Sequence, residues 1–149
     1  MANTPVKRIQ RSTDKELFLN ELKEKGIFKE FYGALIFAAL LGFQEKRRVK
    51  LASVDSGKAI EQSVFGNCGA WPGILYLMSL VETGNSDILS SSPEHEDKRV
   101  TIFQEYANGG LEIMQEYFSK TSLTLDNFLG LIDRYNNDPE SMPFIGITL

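Results

Sequence analysis

The chain has 149 residues, 42% of them hydrophobic and 24% charged, with a net charge of −4. That composition excludes a disordered, collagen-like or coiled-coil protein, and the length sets a single domain as the default. One cysteine, Cys68, and one histidine, His95, exclude an intramolecular disulfide, a multi-thiolate metal site and a His-rich zinc site.

Taken in chain order, the pattern is helical nearly throughout. Residues 1–12 carry Lys7, Arg8 and Arg11 and read as a flexible basic arm. Thr13 followed by Glu16 is a capping-box pattern, so a first helix is predicted from Asp14, ending at Gly26. A second helix is predicted from about Lys29 to Glu45. Phe31, Tyr32, Leu35, Ile36, Ala39, Leu40 and Phe43 recur at its 3–4 spacing, and Phe37 and Leu41 widen the stripe. This breadth marks it as the central core helix. Lys46, Arg47 and Arg48 follow at its C-terminal end, where cations complement the helix dipole by roughly 0.3–1 kcal/mol.

Residues 49–71 read as a short irregular segment. Val49, Leu51 and Val54 suit a short strand or extended loop, and Ile60, Val64 and Phe65 suit a helical turn or two. Pro72 then opens a helix with apolar Ile74, Leu75, Leu77, Met78 and Val81, stopped by Gly84. Ser92-Pro93-Glu94 is an N-cap, first-turn proline and acidic first turn. The helix it starts carries Val100, Phe103, Tyr106, Ala107, Gly110, Leu111, Met114 and Phe118. Gly109 and Gly110 cost about 1 kcal/mol each there relative to alanine, so they need a reason. Close helix packing, a break into two helices, or a ligand near the backbone would each supply one; close packing is the favoured reading. A last helix runs from Leu125 to about Tyr135, and residues 136–149 form a tail with four large apolar residues, Phe144, Ile145, Ile147 and Leu149. The expected fold is therefore all-α. It is a compact single domain of five or six helices over residues 13–135, between the arm and the tail.

The charge is unevenly placed. Residues 1–58 hold 12 of the 16 Lys+Arg and 7 of the 20 Asp+Glu, a net of +5, and the remainder carries −9. Lys7, Arg8, Arg11, Lys46, Arg47, Arg48 and Lys50 are the candidate DNA-phosphate contacts, provided that the fold brings both clusters to one side. Solvated loops are the plainer reading, and a pI of 5.1 opposes strong non-specific nucleic-acid binding.

Catalytic motifs are missing. Gly57-Lys58-Ala59 lacks the glycine spacing and the Ser/Thr of a phosphate-binding loop. His95 lies among Glu94, Glu96 and Asp97, a setting that suits an exposed helix start better than a base for Cys68. Glu105, Glu112 and Glu116 lie opposite the apolar stripe and read as a charged outer face rather than metal ligands. A di-iron Glu-x-x-His is absent because Ser92 stands three residues before His95. These residues imply no enzyme, no cofactor and no metal. The longest apolar run, Ala34–Leu41, is far short of the about 20 residues of a bilayer span, and a soluble cytoplasmic protein is expected.

Three segments carry a resemblance: Phe31–Phe43, Leu80-Val81-Glu82-Thr83-Gly84, and Ile102–Ile113 with its Asn108-Gly109-Gly110. In this order, over residues 28–132, they resemble a small bacterial accessory family, the type numbered four, associated with Dnd DNA phosphorothioation gene clusters. Such systems replace a non-bridging phosphate oxygen with sulfur and often pair this with restriction of unmarked DNA. The resemblance implies an accessory role in a modification or defence system and transfers no catalytic residue. The expected partners are other proteins of that system, with DNA as the alternative and no membrane. A monomer is favoured over a homodimer.

Overall fold

The structure, a computed structural model, describes residues 6–137. Six α-helices run through them: α1 (Glu16–Glu24), α2 (Phe31–Gln44), α3 (Gln62–Phe65), α4 (Trp71–Thr83), α5 (Pro93–Ser119) and α6 (Leu125–Asn137). Three short 3₁₀ turns, Thr13–Lys15, Ser56–Lys58 and Ser86–Leu89, lie between them. No strand forms among the described residues. Isolated antiparallel bridges join Ile9 to Ile60 and Ser12 to Val54.

The centre of the molecule is the crossing of α2 over α5. Ala34, Leu35, Ala38, Ala39 and Leu41 of α2 are buried against Val100, Phe103, Ala107, Leu111 and Met114 of α5. Helix α2 is apolar almost all round, the signature of a helix with neighbours on several sides. Glycine makes the crossing close. A Cβ on Gly110 would collide with the Ala38 carbonyl, and one on Gly109 with the carbonyl of Arg47. On the other side, a Cβ on Gly42 would collide with the Tyr106 carbonyl. Backbone touches backbone, and α5 runs unbroken through both glycines.

The remaining helices dock on this pair. Trp71 of α4 stands edge-on to Phe103 at 5.0 Å, with Phe65 packed on both. Phe128 of α6 packs edge-on against Phe28 and Phe37, at 5.3 and 5.0 Å. The hydroxyl of Tyr117 donates to the Asn127 carbonyl at 2.9 Å and fixes the start of α6.

Several local expectations change. The Thr13–Glu16 capping box does not form: Thr13 Oγ1 pairs with Ser53 Oγ, and the Glu16 carboxylate is taken by Arg11. A 3₁₀ turn therefore precedes α1. Residues 6–12 are not a loose arm but part of the packed domain. Ile9 is 1% exposed and exchanges both backbone hydrogen bonds with Ile60, at 2.8 and 2.9 Å. The physical reason is Ile9 itself, an apolar side chain that burial pins beside α3. Residues 1–5 of the arm, and the tail from 138, lie outside the described residues.

Candidate functional site

Each basic cluster reaches the acidic face of α5 in part, the first through Lys7 and the second through Arg47 and Arg48. Lys7 pairs with Asp97 at 2.5 Å, and its backbone N–H donates to Glu96 at 2.8 Å. Arg8 pairs with Glu61 at 3.2 Å. Arg11 grips Glu16 through two bonds of 2.8 and 2.9 Å and donates a third to the Lys58 carbonyl. Lys15 is 3% exposed, between Asp14 at 3.3 Å and Glu112 at 3.8 Å. Further along the helix, Arg47 pairs with Glu116, and Arg48 reaches Glu105 at 2.7 Å and Glu82 at 3.2 Å. Of the carboxylates expected on the outer face of α5, Glu105 is turned inward against Arg48, while Glu112 stays partly exposed and Glu116 stays exposed beside Arg47.

The backbone sets this seam of paired charges. Helix α2 ends in a Schellman turn: the N–H of Arg47 donates to the Gly42 carbonyl at 2.8 Å and that of Lys46 to Phe43 at 3.2 Å. Lys46 takes the left-handed position of the turn, φ +57°, where glycine is usual. The chain is thereby folded back along α5, where the Asn108 amide donates to the carbonyls of Val49 and Lys50. The N–H of Val49 donates to the Glu105 carbonyl at 3.0 Å.

Protonation follows the pairing. The Arg11 guanidinium holds the Glu16 carboxyl below the usual range, against a smaller opposing effect of burial. A hydrogen bond from Ser12 does the same for Asp14, and Arg47 does so for Glu116. Burial pulls Arg48 down, but Glu105 and Glu82 outweigh it and its pKa is raised. The Tyr106 hydroxyl donates to Glu82; burial, then this carboxylate, push the phenol up to about 12. Glu82, Arg48, Glu105 and Tyr106 thus form one network joining α4, the segment after α2, and α5.

Of the seven candidate phosphate contacts, Lys7, Arg8, Arg11, Arg47 and Arg48 are each paired with a carboxylate of the chain. Lys46 and Lys50 are exposed and have no carboxylate within 4 Å among the described residues. Lys15, Glu82, Tyr106 and Asn108 belong to the seam without having been singled out as binding residues. Only Asn108 gave a signal, as a polar residue inside an apolar stripe. His95 is half-buried rather than solvated, its Nδ1 2.6 Å from Ser92 Oγ, which caps α5 by accepting the His95 N–H. Among the described residues no group of three His, Cys, Asp or Glu side chains could hold a metal ion.

Away from the seam, α4 carries apolar surface that no other described residue covers. Leu77 and Val81 are 63% and 66% exposed. With Leu40, Phe43, Ile74 and Met78 they line an open hollow of about 400 Å³ between α2 and α4.

A family model described as DNA sulphur modification system-associated protein 4 matches residues 8–143. The chain belongs to this family. The match reaches beyond the 28–132 stretch that carried the resemblance. In this member of the sulphur modification system-associated family, it takes in the segment from Arg8 that packs under α3 and all of α6. Every residue of the charged seam except Lys7 lies inside it. No curated protein and no solved structure matches the chain. The family description ties its members to a DNA sulphur-modification system, and no described helix is long and apolar enough to cross a membrane.

Proposed function

We propose that the protein is a non-catalytic accessory component of a DNA phosphorothioation system, or of the restriction or defence machinery linked to it, and that it acts in complex assembly. The uncovered apolar strip of α4 carries this reading. Exposed apolar patches are a recurrent feature of protein-docking sites. Family membership supplies the partner class: another protein of the same modification system. The seam supports the reading from the other side, since five of the seven candidate phosphate contacts are already occupied by the chain's own carboxylates.

The test uses the purified products of the neighbouring modification genes. The full-length chain should retain one of them, and the double variant Leu77→Asp, Val81→Asp should lose it while keeping its helical circular-dichroism spectrum. Both side chains point largely into solvent, so the change leaves the core intact. Equal retention by both forms overturns the assignment of the strip.

A second reading is that the protein contacts DNA directly. Lys46 and Lys50 favour it, being exposed and without a carboxylate partner among the described residues. Their four-residue span at the end of α2 offers two phosphate contacts.

A further inference from the structure

Three charged side chains are buried among the described residues: Arg11, Lys15 and Arg99. The first two face carboxylates, Arg11 that of Glu16 and Lys15 those of Asp14 and Glu112. Arg99 is 3% exposed and has no carboxylate within 4 Å among the described residues. Buried charges are normally paired, because an ion taken out of water without a counter-charge is costly. The Nη1 of Arg99 donates to the carbonyls of Ile88 and Ser90, at 2.6 Å each, and so ties the turn Ser86–Leu89 to α5. A neutral donor would serve for that. Its Nε is buried and has no acceptor among the described residues. The Tyr76 ring centre lies 4.5 Å from the guanidinium carbon and covers one face of the plane. An edge of the guanidinium is left over, with the charge.

Arg99 is also part of the wall of a hollow of about 270 Å³ between α4, the start of α5 and Val6. Trp71, Leu75 and Tyr76 of α4 give this hollow its apolar and aromatic side. Glu96 stands in the same wall, and its Oε1 accepts the Lys7 N–H at 2.8 Å. A guanidinium without a counter-charge and an aromatic wall beside it call for one kind of ligand, an anion with an apolar body. A carboxylate suits the site better than a phosphate. The planar guanidinium matches the two oxygens of a carboxylate, and one negative charge balances one guanidinium. A dianionic phosphate would meet repulsion from Glu96. The volume lies under the roughly 300–1,000 Å³ of drug-sized sites, which limits the apolar body to a few carbons.

We infer that this hollow binds a small apolar monocarboxylate, its carboxylate on Arg99 and its body against Trp71, Leu75 and Tyr76. A free acid offers this group, and so does the C-terminal residue of a polypeptide. The hollow shares no lining residue with the one beside the α4 strip, so the inference stands apart from the assembly reading.

Trp71 is the chain's single tryptophan, so its fluorescence reads this hollow directly. The full-length chain is titrated with isocaproate, with the uncharged isocaproamide and with inorganic phosphate. Emission should change saturably with the acid, about tenfold or more weakly with the amide, and not with phosphate. Arg99→Lys keeps the charge and loses the planar fork, and should weaken the acid about tenfold or more. If that variant loses its helical circular-dichroism spectrum, Glu96→Gln decides. It can still accept the Lys7 N–H, and removal of the neighbouring negative charge should tighten the acid severalfold. The acetylated tripeptide Ala-Ala-Leu and its C-terminal amide identify the source. Tighter binding of the free-acid peptide than of isocaproate assigns a polypeptide terminus, weaker binding assigns a free acid, and both uphold the site. No saturable change with isocaproate, equal responses to acid and amide, a saturable response to phosphate, or an acid affinity unmoved by Glu96→Gln overturns it.

Discussion

Arg11 shows how far a residue's role can depart from its charge. Its side chain is 7% exposed, lies 4.9 Å from the centre of the Phe31 ring, and is held by Glu16, itself 18% exposed. Removing one member of such a pair leaves the other buried and uncompensated, at a cost of about 3 kcal/mol. Glu16→Gln should therefore lower the free energy of unfolding by about 3 kcal/mol in urea denaturation. The double variant Arg11→Met, Glu16→Met should recover most of this, since a buried ion pair is often replaceable by apolar groups of similar volume. A double variant no better than Glu16→Gln would mean that the pair itself is what the site needs. The pH dependence follows from the same contact. The folded pKa of Glu16 is depressed, as are those of Asp14 and Glu116, so the unfolded chain takes up their protons first. Their contribution is present above the ordinary carboxylate range, near about 4, and is lost as pH falls through the depressed values. The urea midpoint should hold between neutral and mildly acidic pH and then fall, with a shallower fall in Glu16→Gln. Identical acid limbs in the two proteins would remove Glu16 from the account.

At the level of elements, the α2–α5 crossing separates glycines that matter from one that does not. Gly110→Ala places a methyl on the Ala38 carbonyl, a backbone atom that cannot swing aside. Overpacking of this kind costs typically about 1–3 kcal/mol, and the upper end is expected where the obstacle is main chain. Gly73, in α4, has nothing within 4 Å of its would-be Cβ. Gly73→Ala should stabilise the protein by about 0.5–1 kcal/mol, the helix-propensity difference. Thermal melts of the two variants should move in opposite directions; a shared direction would show that the crossing is not where the helices are closest. The same contrast explains what was legible in the sequence. The run Val100, Phe103, Ala107, Leu111, Met114, Phe118 states a helix and its buried face, because periodicity is a local property. The breadth of apolar residues in α2 likewise marks it as central. What could not be read is which charges meet. Arg48 with Glu105, and Lys15 with Glu112, are separated by 57 and 97 positions, and the first pairing depends on a Schellman turn built on Lys46 rather than glycine. Thr13 and Glu16 misled for a related reason: each had a tertiary partner, Ser53 and Arg11, that outbid the local cap.

Across the whole molecule, the imbalance of +5 over residues 1–58 against −9 over the rest is largely settled inside the fold. Lys7, Lys15, Arg47 and Arg48 lie against carboxylates of α5, and their fields cancel there at short range instead of projecting toward an anionic partner. This sets a quantitative expectation for DNA. Each phosphate neutralised contributes about −0.9 to the slope of log affinity against log salt. If Lys46 and Lys50, the exposed, carboxylate-free cations of the candidate set, are the phosphate contacts, the slope is about −2, compared with about −10 for a repressor that grips many phosphates. Gel shifts at about 50 and about 200 mM salt should therefore show weak retardation that changes at most about 16-fold between them. Lys46→Ala with Lys50→Ala should abolish what retardation there is, without altering capture of a partner protein by the α4 strip. A much steeper slope that Arg47→Ala with Arg48→Ala returns to about −2 would mean that these two leave Glu116, Glu105 and Glu82 for phosphates. In that event the seam is a latch that DNA opens, and the direct-contact reading displaces the assembly one.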